Sequence, residues 1–368
     1  MPGSSEIVTS EPATDADSNI LRWLGVALAT FAATIAMSAV ELPTPALFAA
    51  LLIGITYALV AVRRPLDIPS KGLTIGQALI GVAIGTALDA STLGAVASNW
   101  FAVSAVTLAT LALSLGVGIA IARLAGISQA TGTLGLIAGG ASGIVAMADE
   151  LGADSRLVAF MQYVRVLVVV LVAPFVATIL LAHGERGAPP TEPKGTSLVG
   201  DLAFTGACVL AGVLVARRLR VTAGTLLCPL GVAAILSTSG VAGDASVPAL
   251  VQSVAFALIG LQVGLRFTIA TIRGAQALLP WVLAAIFVLV TVSAGLAALL
   301  VPLAHVSFAD AYLATTPGGL YAVLAASVGI GANTTFVVSV QVLRILVMVI
   351  GAPQLVRIVA RWDNAQSG

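Results

Sequence analysis

The chain has 368 residues, 59% hydrophobic and only 9% charged, with a mean hydropathy of +1.09. A soluble domain carries about 25% charged residues, so a polytopic membrane protein is predicted and a soluble globular domain is excluded. The net charge of +1 offers no basic face for nucleic acid, and the two cysteines, Cys208 and Cys228, build neither a disulfide framework nor a metal-ligand ladder.

Residues 1–18 are polar, contain Glu6, Glu11, Asp15 and Asp17, and lack the basic start of a signal peptide; they predict a retained disordered tail. The first span, 20–40, is led in by the interface anchors Arg22 and Trp23. The stretch from Glu41 to Pro45 interrupts the chain before a second span at 46–62, closed by Arg63 and Arg64. A third span, 72–88, carries Gly81-x-x-x-Gly85, a spacing that lets helix backbones approach closely. The fourth, 96–122, ends at Arg123.

A Gly-rich segment at 131–148 follows, with Gly132, Gly135, Gly139, Gly140 and Gly143 and then Asp149-Glu150. So many glycines disfavour a plain helix, and a re-entrant hairpin or a broken helix is predicted. Irregular backbone of that kind survives at membrane depth only when buried in protein or lining a wet cavity. A span at 157–182 contains Gln162 and Arg165.

The same order then recurs. A shift of 179 residues pairs Gly140 with Gly319, Gly152 with Gly331, Gln162 with Gln341, Arg165 with Arg344 and Pro174 with Pro353. It makes 13 of 36 positions identical between 139 and 174, without a gap. It also pairs Gly81 and Gly85 with Gly260 and Gly264, and Leu47 with Leu226. Such a period is too long for a solenoid and marks a duplicated half. The chain therefore divides into a tail (1–18), membrane repeat 1 (19–183), a Pro-rich linker (184–197), membrane repeat 2 (198–361) and a C-terminal tail (362–368).

Charge fixes the topology. If the Gly-rich segment does not cross, each half has five crossings, an odd number, and the halves are inverted. One face then collects Arg22, Arg63, Arg64, Lys71, Arg123, Arg217, Arg218, Arg220, Arg266, Arg273 and Arg361. The positive-inside rule prefers this five-plus-five arrangement, with both termini cytoplasmic in the cell membrane. The predicted fold is an all-α polytopic membrane protein of two inverted five-helix repeats, each with a Gly-rich re-entrant hairpin or broken helix.

Arg165 and Arg344 lie about nine residues into their spans, about 13 Å deep. A guanidinium there is a functional-site candidate. Gln162 and Gln341 stand one turn earlier on the same face. Inverted halves bring these faces to the midplane, where transporters with inverted repeats bind substrate. The tips Gly139-Gly140 and Pro317-Gly318-Gly319 lie beside them and add unpaired N–H groups that attract anions. These nine residues form the candidate site for a small anionic solute, a carboxylate that arginine grips with two bonds. The other reading has each arginine tie down freed carbonyls of its own broken element. Gln77 and Gln262 in the third spans, Arg266 as a positive-inside anchor, and Asp149, Glu150 and Asp154 as a solvated edge have simpler structural roles. His183 and His305, at segment ends, lack neighbouring ligands for a metal.

The segments GGASGIVAMADELGAD, QYVRVLVVVLVAP and PGGLYAVLAASVGIGAN resemble the AbrB-type integral membrane family. That family has a duplicated membrane domain and carries the labels ammonia monooxygenase and AbrB family regulator. The resemblance covers the chain after its tail and implies a fold of the cation/proton antiporter and anion transporter type. Repeat 1 departs from the Pro-Gly-Gly form of repeat 2 by having Ala138 where Pro317 stands. A monooxygenase needs a redox metal site, for which no His cluster exists, and a DNA-binding regulator needs a basic reading element. The first expectation is therefore a secondary transporter or exporter working by alternating access, with no catalytic residues, metal or cofactor. The alternative is a non-transporting membrane sensor that alters gene expression indirectly. The bilayer is the expected surrounding, and Gly-rich helix faces offer a route to a homo-oligomer.

Overall fold

A computed structural model describes residues 13–39, 44–61, 66–86, 88, 94, 98–137, 144–145, 148–181, 197–219, 224–240, 245–345, 347–348, 351 and 354. Among them there is no strand. The first half runs α1 (Ala13–Ser38), α2 (Pro45–Val60), α3 (Ser70–Thr86), α4 (Trp100–Ala125), α5 (Gln129–Leu136), a 3-10 turn (Asp149–Leu151) and α6 (Ser155–Leu181). The second runs α7 (Leu198–Leu219), α8 (Gly224–Thr238), α9 (Ala249–Gly264), α10 (Ile269–Ala275), α11 (Leu279–Ala304), α12 (Phe308–Thr315), α13 (Leu320–Gly329) and α14 (Thr334–Ile345).

Among the described residues, five helices are long and apolar enough to cross a membrane: Asn19–Ser38 within α1, α4, Ser155–Val172 within α6, α7 and α11. The chain is a multi-pass helical membrane protein. The helices α2, α8, α9 and α14 are apolar but shorter. The 16 residues of α2 rise only about 24 Å. The helix α1 begins at Ala13 and takes up the end of the stretch expected to be disordered. Most of the linker 184–197 and all of the tail 362–368 lie outside the described residues.

The shift of 179 read from the sequence also governs the elements. It carries the starts of α2, α3, α4 and α5 onto those of α8, α9, α11 and α12. It governs contacts as well. A Cβ added at Gly81 would collide with the Leu226 carbonyl, and one at Gly260 with the Leu47 carbonyl. Gly85 meets the Leu230 carbonyl, and Gly264 meets the Leu51 carbonyl. Each pair is the other shifted by 179. The close approach predicted from the Gly-x-x-x-Gly spacing is thus made inside the chain, between α3 and α8 and between α2 and α9. Because contact positions rise together in each pair, both pairs run parallel. Thr225 donates to Gln77 Oε1 at the start of the α3–α8 contact. The buried side chains of all four helices join the largest apolar cluster.

Substituting Gly81 or Gly260 with Ala forces the carbonyl-bearing helix away. Overpacking costs about 1–3 kcal/mol. Thermal unfolding in detergent is expected to show a lowered Tm for both variants. Gly116→Ala, whose Cβ meets nothing within 4 Å, is expected to leave Tm unchanged.

Candidate functional site

Each Gly-rich segment is built by the same local devices in both halves. Ser128 caps α5 by accepting from the Thr131 amide at 3.2 Å, and Ser307 caps α12 by accepting from Asp310 at 3.1 Å. Both helices end after eight residues, at Leu136 and Thr315. The chain after them returns to its starting end. Thr131 Oγ1 accepts from the Asp154 amide at 2.9 Å, and Asp310 Oδ1 accepts from the Asn333 amide at 2.6 Å. Gly152 (φ +73°) and Gly331 (φ +67°) make the left-handed turn that closes the return, a conformation costly for any residue with a Cβ. Across these turns Ala153 donates to Ala148 and Ala332 to Ser327, each at 2.9 Å. Asp154 Oδ1 then caps α6 by accepting from Arg156 and Leu157, while Asn333 Oδ1 caps α14 by accepting from Phe336. Asp and Asn are equally good caps, which accounts for their interchange between halves.

The return places α6 parallel to α5, and α14 parallel to α12, so Gln162 and Gln341 meet the broken ends. Gln162 Nε2 donates to the carbonyls of Leu134 (2.6 Å) and Ile137 (2.9 Å). Gln341 Nε2 donates to those of Leu313 (2.8 Å), Ala314 (3.2 Å) and Thr316 (3.4 Å). Arg165 Nη1 donates to the Leu136 carbonyl at 2.9 Å. Arg344 Nη1 donates to the Thr316 carbonyl at 2.7 Å, and its Nη2 to the Gly318 carbonyl at 3.5 Å and to Gln341 Oε1. A helix end leaves its last carbonyls without partners, and in hydrocarbon no water replaces them. The two Gln–Arg pairs fill that need.

The carbonyl bonds do not use up the side chains. Arg165 is 1% exposed and Arg344 2%, and the Nε of each has no hydrogen-bond partner; nor has Gln162 Oε1. The guanidinium groups lie within electrostatic range of one another, and among the described residues neither meets a carboxylate. The second tip packs on the helix that carries the first arginine. Cβ atoms at Gly318 and Gly319 would touch Val169, one turn beyond Arg165, and Val166, next to it. Pro317 is buried there too. Gly139 and Gly140 lie outside the described residues. The structure therefore brings Arg165, Arg344, Gln162, Gln341, Pro317, Gly318 and Gly319 to one region of the interior.

Other residues take structural places. Arg266 stands over the Tyr163 ring, 5.7 Å from its centroid, a cation–π contact tying the end of α9 to α6. Sequence reasoning missed Tyr312, Thr316 and Ser293, whose buried hydroxyls have no partner. Nothing in their sequence spacing marked them. Among the described residues no three His, Cys, Asp or Glu side chains come together.

The chain matches the family described as "Transition state regulatory protein AbrB" over residues 47–360. It is 32% identical, over 95% of its own length and 99% of the other's, to "Putative regulator AbrB" of Escherichia coli (strain K12). It is 26% identical, over 78% of each chain, to "Uncharacterized protein YhjN" of Bacillus subtilis (strain 168). The chain belongs to the AbrB family, as the resemblance of its Gly-rich segments implied.

Removing the amide of Gln341 leaves buried carbonyls without a donor, each costing about 1–3 kcal/mol. Gln341→Leu is expected to lower the Tm of the purified protein well below that of wild type. Asn333→Asp, which keeps the cap, is expected to unfold with the wild type, whereas Asn333→Ala loses about 1 kcal/mol.

Proposed function

We propose that the chain is a secondary transporter of a small carboxylate anion, working by alternating access in the cell membrane. The observation that carries the reading is the pair of buried, neighbouring guanidinium groups at two broken helices, with no described carboxylate to balance them. A buried charge without a partner is strongly destabilising, and an anion entering between the hairpins supplies the partner. Bonds from Nη to carbonyls orient each guanidinium, and Nε remains to meet the solute. The carbonyl contacts make the arginines structural as well, and both roles act together in this reading.

Packing direction supports inverted repeats. If α2 and α3 cross consecutively they are antiparallel; α8, parallel to α3, then runs opposite to α2, its own counterpart. The return of each Gly-rich segment to its starting end supports re-entrant hairpins, hence five crossings per half. The arginine-rich ends then share one side, which the positive-inside rule makes cytoplasmic, together with both termini. On that topology hairpin 1 enters from the cytoplasm and hairpin 2 from the opposite side, an arrangement suited to alternating access. No bond of the solute is broken, so the reading includes no catalytic step.

The regulator name of the Escherichia coli relative favours a second reading, a membrane sensor that signals through a cytoplasmic partner. Crosslinking that captures such a partner, together with no flux of any solute, would support it.

Uptake of radiolabelled lactate, succinate and glutamate into proteoliposomes tests the transport reading. At least one is expected to accumulate with wild type and not with Arg344→Gln. Arg344→Lys keeps charge and one donor but loses the planar fork, so it is expected to fold with near-native Tm and transport about tenfold more slowly. Wild-type uptake by folded Arg344→Gln would remove Arg344 from the site.

A further inference from the structure

The symmetry relating the hairpins stops at their tips. Where the first carries Thr133, Leu136 and Ile137, the second carries Tyr312, Thr315 and Thr316. The Thr133 hydroxyl is satisfied within its own helix, by the carbonyls of Gln129 (2.7 Å) and Ala130 (3.1 Å). In the second hairpin Tyr312 is 1% exposed and Thr316 fully buried, yet neither hydroxyl makes a hydrogen bond. The two hydroxyls face each other, near enough to interact though not at hydrogen-bond distance, one turn apart. Ser293 Oγ of α11 is also buried and unpartnered. Its backbone carbonyl accepts from Thr315 Oγ1 at 3.1 Å, which places it against the same end of α12. Arg344 reaches this end through its bond to the Thr316 carbonyl and keeps an unpaired Nε–H.

Buried polar groups are nearly always paired, so several unpaired ones gathered at one helix end call for a partner. Two hydroxyls can donate, and a guanidinium N–H can only donate. The complement is an acceptor-only group with negative charge. A cation is opposed by Arg344 and Arg165, and a neutral solute leaves their charge unbalanced. The wall facing Gly318 and Gly319 is apolar, made by Val166 and Val169, so the polar contacts fall on one side.

We infer that the tip of the second hairpin is a carboxylate seat, in which Tyr312 Oη and Thr316 Oγ1 donate to the carboxylate beside the Arg344 guanidinium. Among the described residues the first tip, with Leu136 and Ile137 and with the Thr133 hydroxyl bonded within its own helix, offers no free equivalent, and the two tips divide the work unequally: the second binds the head group and the first contributes charge through Arg165. This rests on the anion-transport reading above.

Because neither hydroxyl holds a backbone group or another helix, Thr316→Val and Tyr312→Phe remove a ligand contact and, within the fold, only the weak contact of the two hydroxyls with each other. Both are expected to unfold at or slightly above the wild-type Tm. The test is thermal unfolding of the purified full chain titrated with lactate, succinate, glutamate and inorganic phosphate, since a bound solute raises apparent stability by mass action. A carboxylate is expected to stabilise the wild type, with its apparent Kd weakened about tenfold in each hydroxyl variant and unchanged in Thr133→Val. Wild-type affinity in both hydroxyl variants would overturn the seat and leave the transport reading standing. Equal weakening in Thr133→Val would overturn the asymmetry, and stabilisation by phosphate alone would overturn the carboxylate. If no probe stabilises the wild type and none is taken up, both the seat and the transport reading fall.

Discussion

The constraint on which the rest depends is that a helix broken inside an apolar medium must find donors for its freed carbonyls. Here the donors come from a following helix, through one glutamine and one arginine spaced by a single turn. For those side chains to reach, α6 must run beside α5 and in the same direction, and α14 beside α12. A parallel neighbour is possible only if the intervening chain returns to where it began. The cap serines, the left-handed glycines and the amides of Asp154 and Asn333 held at Thr131 and Asp310 make that return. The broken helix, its closure and the buried arginine are thus one solution to one problem of unpaired carbonyls.

A second constraint operates on the other side of the molecule. The parallel pairs α3–α8 and α2–α9 approach through glycines set against backbone carbonyls, so their contact has little room to slide. Side chains that might deform are absent from the tightest points. The first broken helix shares that locking, since Gly132 of α5 meets the Gly118 carbonyl of α4; the second tip, by contrast, touches its surroundings through valines and through hydrogen bonds from long side chains. If one part of the molecule moves against another, the glycine-locked helices are suited to stay fixed and the second tip to move. This division follows from the residues at each contact and requires no difference in overall hydrophobicity.

Much of this was legible in the sequence because duplication writes the same signal twice. The shift of 179 located the repeats, the glycine spacing foretold close helix contacts, and the depth of Arg165 and Arg344 marked the interior. The alternative role for these arginines, binding freed carbonyls, was legible too and is what their Nη groups do. Less legible were the element ends. Gln129 and Phe308 begin their helices earlier than apolar runs suggest, because Ser128 and Ser307 cap polar first turns. Asp154 is exposed, as its reading as a solvated edge implied, but that it also caps α6 was not legible, since spacing alone does not say which amides a carboxylate faces. The short α10 had no signal in its few residues, and Tyr312 and Thr316 looked like ordinary helix residues until their hydroxyls proved unpaired.

Where the halves agree, the residues answer to the backbone; where they differ, the backbone cannot be the reason. Asp154 and Asn333 differ without consequence, because both cap. Thr131 and Asp310 differ in kind yet do the same work, since each accepts the returning amide and each is bonded at 2.7 Å to the hydroxyl of its cap serine, Ser128 or Ser307. The tips differ most, with leucine and isoleucine facing two threonines across the pseudo-symmetry. Thr315 spends its hydroxyl on the Ser293 and Ala311 carbonyls, but an apolar residue at 316 would satisfy packing as Ile137 does, and the Thr316 hydroxyl adds cost when left unpaired. The second hairpin therefore carries chemistry that the fold does not demand, and the place where a duplicated scaffold departs from its own repeat is where a solute's demands are to be sought.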